Sequence, residues 1–146
     1  MDQDDIFFQA SQYNHPFITN TININNLNEE GDNIFGWCIR NEYFLMCHSI
    51  LANENFNING KDLFGQTPIM SAIIYEDYEL FNKIMELVPD ISITTPYGFD
   101  PFLLSYIYER NIFFEQIYNS KMNKTKMLTV YDYNINNIFH HMAENN

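Results

Sequence analysis

The chain repeats itself at intervals of 33 or 34 residues, and this period limits the folds open to it. Gly31, Gly65 and Gly98 are separated by 34 and 33 residues. At the same spacing, residues 74–76 and 107–109 both read Ile-Tyr-Glu. A repeat of this length encodes one supersecondary unit that cannot bury its apolar face alone, so neighbouring units must stack. The sequence therefore predicts an array of similar units.

Each unit is predicted to contain a turn followed by two antiparallel helices. Gly65 can take a positive φ in the turn, and Thr67 followed by Pro68 is typical of a helix start. Apolar residues at helical spacing predict a short helix that ends near Tyr75. A second helix is predicted from a stripe of apolar residues, which are Leu80, Phe81, Ile84, Met85 and Val88. Pro89 should end that helix.

Residues 62–93 carry an ordered set of motifs. They begin with D-x-x-G-x-T-P, continue with the small Ala72 and paired apolar residues, and end in Asp-Ile at positions 90 and 91. Residues 57–59 read Asn-Ile-Asn. These motifs and the period of 33 resemble those of the ankyrin repeat family, whose repeats close on a similar D-V-N. The resemblance implies an all-α repeat solenoid, in which helix-turn-helix units stack and are joined by β-turn or hairpin loops.

The resemblance divides the chain into three recognisable repeats with degenerate ends. The repeats span residues 28–61, 62–94 and 95–131, and the last includes an extended loop. Residues 1–27 are predicted to form an N-terminal capping unit, and residues 132–146 a truncated C-terminal one. The whole chain of 146 residues is expected to be a single ankyrin-like domain.

Three positions depart from the family's pattern, and at one of them the histidine of the family's T-P-L-H is Met70 in the second repeat and Leu103 in the third. Thr67, the predicted helix cap, is replaced by Asn33 in the first repeat and by Asp100 in the third, and both residue types can cap a helix. Asp77 is predicted to cap the second helix of its unit. The glycine that the family places between its two helices is a glutamate in every repeat, at Glu42, Glu76 and Glu109. If that turn requires a positive φ, each glutamate should cost stability.

The sequence contains no set of residues with the spacing of a catalytic or metal site. Cys38 falls on the small core position that Ala72 holds in the next unit, so we expect both Cys38 and Cys47 to be packed rather than reactive. His48 and the cysteines lack the spacing of a four-ligand zinc site. Neither a glycine-rich phosphate loop nor a hydrolase motif occurs. We therefore expect no enzymatic activity, no metal and no cofactor.

In ankyrin-like arrays, the turn tips and the short inner helices line a concave face that binds protein partners. The resemblance implies the same use for the matching positions of this chain, which are rich in the aromatic residues typical of interaction surfaces. The candidate partner-binding residues are Glu29, Glu30, Asp32, Leu63, Phe64, Gln66, Tyr75, Tyr97, Phe99, Tyr108 and Tyr133. For Ile74 and Ile107, packing between neighbouring inner helices is the expected role. An alternative is that another part of a longer chain covers the patch.

The charge of the chain favours a basic partner. Nineteen acidic residues against seven basic ones give a net charge of −12. This charge attracts a basic partner and disfavours nucleic acid or an anionic membrane. No apolar run is long enough to span a membrane, and the acidic start does not resemble a secretory signal. We expect a cytoplasmic protein, with the nucleus as an alternative.

Together these features predict a non-enzymatic interaction module, acting as an adaptor or a competitive inhibitor. Its partner would place apolar anchors on the central repeats and a basic end toward Glu29, Glu30 and Asp32. The alternative function is a substrate-recruiting ankyrin domain of a larger enzyme or regulatory protein. Self-association through the same apolar face is a further alternative.

Overall fold

The structure is a computed structural model that describes Phe7 and residues 23–120. Between residues 23 and 120 the chain is all-helical, without a strand. The six helices are α1 (Ile34–Arg40), α2 (Phe44–Ala52), α3 (Pro68–Ile74), α4 (Tyr78–Glu86), α5 (Pro101–Ile107) and α6 (Asn111–Asn119). The predicted C-terminal unit at residues 132–146, with Tyr133, lies outside the described residues, as does most of the predicted N-terminal unit at residues 1–27.

The helices form three pairs of unequal length. Helices α1, α3 and α5 each contain seven residues, and α2, α4 and α6 each contain nine. Each short helix contacts the long helix that follows it, α3 also contacts α1 and α5, and α2 contacts α4. The two helices predicted after Gly65 are therefore present, and a pair of the same lengths occurs before and after them in the chain.

The core lies between the helix pairs and uses residues at matching positions. Cys38, Ala72 and Ser105 hold the same position of α1, α3 and α5, and all three are fully buried. The prediction that Cys38 is packed is confirmed. Between the longer helices, the ring centres of Phe81 and Phe113 lie 4.4 Å apart. Burial of a side chain of this size contributes about 1.5–3 kcal/mol, so contacts between helix pairs are a major source of stability.

Asparagine and aspartate side chains cap α1, α4 and α5 as the sequence predicts, whereas Thr67, at the N-cap of α3, forms no side-chain cap hydrogen bond. Asn33, Asp77 and Asp100 each accept, through Oδ1, a hydrogen bond from the backbone N–H three residues later, at 2.8–2.9 Å. Each bond satisfies a donor that the first helical turn leaves without an intrahelical partner. Pro68 and Pro101 occupy the first helical position, where a missing N–H has no cost.

The turn between the two helices of each pair does require a positive φ. Glu42, Glu76 and Glu109 have φ angles of 61°, 56° and 56°. An L-residue other than glycine in this region brings its Cβ close to the following carbonyl oxygen. The cost expected from the sequence therefore applies at all three glutamates.

The prediction that Val88 belongs to the apolar stripe of the second helix is wrong. Helix α4 ends at Glu86, Leu87 follows as its C-cap, and Val88 takes a φ of 57° with 58% of its surface exposed. The residue before a proline is disfavoured in the α conformation, so Pro89 ends the helical path earlier than the apolar spacing indicates.

Asparagine and aspartate side chains link the loops that lead from one pair to the next. Asn57 donates its backbone N–H to Asn25 Oδ1 at 2.7 Å, and Asp90 donates its own to Asn59 Oδ1 at 2.8 Å. Both bonds join residues about one repeat apart, because residues 25 and 57, and 59 and 90, belong to successive loops. The loops therefore stack in register beside the helices.

Candidate functional site

The candidate site is built from the turns that precede the short helices, which are the first (residues 28–32), the second (residues 62–66) and the third (residues 95–99). In the second turn, Asp62 Oδ1 accepts hydrogen bonds from the backbone N–H groups of Phe64 and Gln66, both at 2.9 Å. In the third turn, Thr95 Oγ1 accepts one from the N–H of Phe99 at 3.2 Å. A side chain that bonds its own backbone two or four residues later fixes a turn locally. These turns therefore hold their tip residues in defined positions.

The second and third turns lie in close contact. A Cβ atom on Gly65 would lie 2.5 Å from Cδ of Pro96, which is too close for any side chain. Gly65 also has a φ of 73°, a conformation that glycine adopts without strain. Gly65 is therefore required both by the conformation of its own turn and by the close approach of Pro96.

A groove of about 480 Å³ lies between these two turns and the helices α3 and α5. Six of the predicted binding residues line it, which are Leu63, Phe64, Gln66, Tyr97, Phe99 and Tyr108. Its remaining lining comes from Ile74, Thr95, Pro96, Leu104 and Ile107. The structure thus gathers turn-tip and helix residues from two successive units into one predominantly apolar surface.

The groove exposes large apolar side chains. Tyr97 is 84% exposed, Phe64 is 54% exposed and Ile107 is 48% exposed. The expectation that Ile107 packs between neighbouring helices is therefore wrong, because about half of its surface is exposed. Ile74 is half-buried and also lines the groove. Large exposed apolar patches are typical of interaction surfaces, which makes the groove the candidate site.

Several predicted site residues lie elsewhere. Tyr75 is 41% exposed but does not line the groove. Glu29 and Glu30 are exposed in the preceding turn, at the positions that Leu63 and Phe64 hold in the next unit. These three residues are therefore accessible without being part of the groove.

The prediction that Asp32 belongs to an exposed acidic surface is wrong. Its side chain is only 3% exposed and forms an ion pair with Arg40. Its Oδ1 accepts a hydrogen bond from the backbone N–H of Leu63 at 3.1 Å. A carboxylate taken out of water needs such partners, so Asp32 links two turns rather than meeting a ligand.

Arg40 joins the first and second turns. Its Nη1 lies 2.7 Å from Asp62 Oδ2, in addition to the ion pair with Asp32. Burial alone would lower the pKa of Arg40, but the hydrogen bonds and charges of both aspartates outweigh it and raise the pKa. The guanidinium carbon lies 5.0 Å from the centre of the Phe64 ring, a cation–π geometry.

Sequence reasoning missed this network, although a signal was present. An arginine stands in α1 at the position that is isoleucine in α3 and α5, and aspartates stand in both adjacent turns. The combination indicates a buried ion pair between units.

The two cysteines lack the environment of a nucleophile. Burial, helped by the charge of Asp77, raises the pKa of Cys47 to about 12, and burial also raises the pKa of Cys38. Thiolates are therefore scarce near neutral pH. Among the described residues, no group of three or more His, Cys, Asp or Glu side chains is placed to hold a metal ion.

No known family model matches the chain, and no curated protein sequence matches it. Within residues 23–120, none of the helices has the length and apolar character needed to cross a membrane.

Proposed function

We propose that the chain is an ankyrin-like repeat protein, an all-α solenoid, that binds a protein partner through the groove. The observation that carries the proposal is the position of six predicted binding residues around one apolar groove. The partner would be a peptide segment with apolar anchors and flanking lysine or arginine residues. In this function the chain acts as a non-enzymatic adaptor or inhibitor, without a cofactor.

The recurring local geometry supports the family assignment. The turns at Gly31, Gly65 and Gly98 all have positive φ, at 82°, 73° and 82°. Each is followed by a helix of seven residues and a helix of nine. A unit with fixed turn chemistry and two helices is what the ankyrin-like motifs of the sequence imply.

The charges around the groove support a basic partner. Arg40 is held by two aspartates, and Arg110 Nη1 lies 2.8 Å from Glu76 Oε2. Glu109 is exposed directly after Tyr108, which lines the groove. With a net charge of −12, the chain attracts basic segments and repels acidic ones.

The proposal is tested by selecting peptides from a displayed random library on the immobilised protein and measuring their affinities by fluorescence titration. Tyr97→Ala should weaken binding at least about tenfold, because exposed aromatic anchors carry much of the energy of an interface. Leu45→Ala is the matched control, since Leu45 is 61% exposed on α2 but does not line the groove. Selection of no peptide, or equal affinities for the two variants, would overturn the proposal.

Light scattering tests whether a second copy occupies the groove instead. A dimer that forms with rising concentration and disappears in Tyr97→Ala would assign the apolar surface to self-association and overturn the foreign-partner proposal. A monomer at all concentrations supports it.

A further inference from the structure

The groove has a counterpart between the first and second helix pairs, and that counterpart is charged. Arg40 stands at the position of Ile74, and Asp32 stands at the position of Gln66. Ile74 and Gln66 line the groove between the second and third pairs. The same surface therefore changes from apolar to charged residues where one unit meets the next.

Arg40, Asp32 and Asp62 form a network of ion pairs beside the groove. Arg40 pairs with Asp32 and with Asp62, whose side chains are only 3% and 1% exposed. One guanidinium against two carboxylates leaves the network with a net negative charge. The guanidinium also lies 5.0 Å from the Phe64 ring. Because Phe64 lines the groove, its ring belongs to both the groove and the network.

The two aspartates also hold the backbone of the turn that carries Phe64. Asp32 Oδ1 accepts from the N–H of Leu63 at 3.1 Å. Asp62 Oδ1 accepts from the N–H groups of Phe64 and Gln66, both at 2.9 Å. All three donors belong to residues that line the groove. The carboxylates that bind Arg40 therefore also fix the turn.

We propose that Arg40 is a positioning residue of the groove, which holds Phe64 through Asp32 and Asp62 and marks where the partner's apolar segment is followed by a basic one. This inference rests on the proposed function. Glu29 and Glu30 are exposed in the first turn, where they hold the positions that Leu63 and Phe64 hold one repeat later. A lysine or arginine of the partner is favoured there by these carboxylates and by the negative network.

The positioning role is tested with Arg40→Lys, which keeps the charge but loses the planar fork that reaches two carboxylates and stacks on a ring. Peptides selected on the wild type should bind this variant about tenfold more weakly, since the cation–π contact and turn geometry both change. Amide hydrogen exchange at Leu63, Phe64 and Gln66 should become faster. Arg110→Lys is the matched control, because Arg110 also pairs with a carboxylate, but that carboxylate belongs to Glu76 and not to the turn that carries Phe64.

A purely structural Arg40 would give a different result. The free energy of unfolding of Arg40→Lys would fall, while the affinity of the folded protein and the exchange of the three turn amides would stay at wild-type values. That result would overturn the positioning role. The exchange measurement needs no ligand, so it decides this point even if the wild type selects no peptide and the proposed function fails.

The predicted change from an apolar to a basic segment in the partner, which we call the boundary, is tested with the triple variant Asp32→Gln, Arg40→Ile and Asp62→Asn. The first two changes copy Gln66 and Ile74, and the third copies Asn28, whose Oδ1 accepts bonds within its own turn. The triple variant also avoids leaving buried carboxylates without Arg40. Peptides selected on it should carry an apolar residue where the wild-type peptides carry a basic one. The same basic preference in both selections would overturn the boundary.

Discussion

A Cβ atom on Gly36 would lie 2.5 Å from the Cβ of Asp62 and 2.8 Å from its Oδ2. Gly36 is inside helix α1, where glycine costs about 1 kcal/mol relative to alanine. The absence of a side chain lets the turn at Asp62 approach the helix, and Asp62 then reaches Arg40 at 2.7 Å. Gly36 is therefore required by the packing of a turn against a helix.

The first prediction concerns Gly36→Ala. We expect the free energy of unfolding to fall by about 1–3 kcal/mol, because the added methyl group displaces Asp62 and outweighs the better helix propensity of alanine. Urea unfolding followed by circular dichroism measures the change. Ser49→Ala is the control in α2, where the Ser49 hydroxyl donates to the backbone carbonyl of Leu45 in the same helix and the expected change is under about 0.5 kcal/mol. A more stable Gly36→Ala protein would contradict the close approach.

The second prediction concerns Glu42, which has a φ of 61°. Glu42→Gly should raise the free energy of unfolding by about 1 kcal/mol, since glycine adopts this conformation without the steric cost of a Cβ. Glu42→Ala removes the same carboxylate and keeps the Cβ, so it should give no gain. Thermal unfolding of the two variants separates the effect of backbone strain from the effect of charge.

The second prediction extends to Glu76, where Glu76→Gly should raise the free energy of unfolding by less than Glu42→Gly. Both residues share the strained turn conformation, but Glu76 Oε2 also lies 2.8 Å from Arg110 Nη1. The ion pair is partly exposed and contributes well under about 1 kcal/mol. Equal gains at the two positions would show that this pair adds nothing.

The helices and much of the groove could be predicted from the sequence because their causes are local. Proline at position 68 after Thr67 indicates a helix start whatever the rest of the chain does, because the signal depends on adjacent residues alone. Glycine at position 65 likewise indicates a turn. Phe64 and Tyr97 could be assigned to one surface because the resemblance to ankyrin repeats implies that such turn tips share a face, and both residues line the groove.

The role of Asp32 could not be predicted from its own neighbourhood. Its turn resembles a solvated acidic loop, because Glu29 and Glu30 precede it. The side chain is buried by Arg40 and by the backbone of Leu63, which is 31 residues away in sequence. A contact of this kind depends on how one unit packs on the next, which the spacing of apolar residues does not determine.

The third prediction concerns Val88, a β-branched residue with a φ of 57°. Val88→Gly should raise the free energy of unfolding by about 1 kcal/mol, because the exposed side chain contributes little and the strain is removed. Leu87→Gly is the control, since Leu87 is also about half exposed but has a φ of −82°. Urea unfolding should show a gain for Val88→Gly and a loss for Leu87→Gly. A loss at both positions would mean that Val88 makes a contact worth more than its strain.

The fourth prediction concerns alkaline pH. Burial, then the charge of Asp77, raises the pKa of Cys47 from 9.0 to about 12, and the pKa of Cys38 shifts in the same direction through burial. Above pH 9 the thiols of the unfolded chain ionise while those of the folded chain stay protonated, so unfolding becomes more favourable. The contribution of the thiols to stability is therefore complete below pH 9 and is lost as pH rises toward 12, by at most about 1.4 kcal/mol per pH unit for each thiol.

Urea unfolding at pH 7 and pH 10 measures this loss. The double variant Cys38→Ala and Cys47→Ala should lose less stability between the two pH values than the wild type, because its remaining loss comes from other groups. Asp77→Asn should fall between them, since asparagine can still cap α4 but no longer opposes ionisation of Cys47. Equal losses in the wild type and in the chain without thiols would mean that water reaches the cysteines before the protein unfolds.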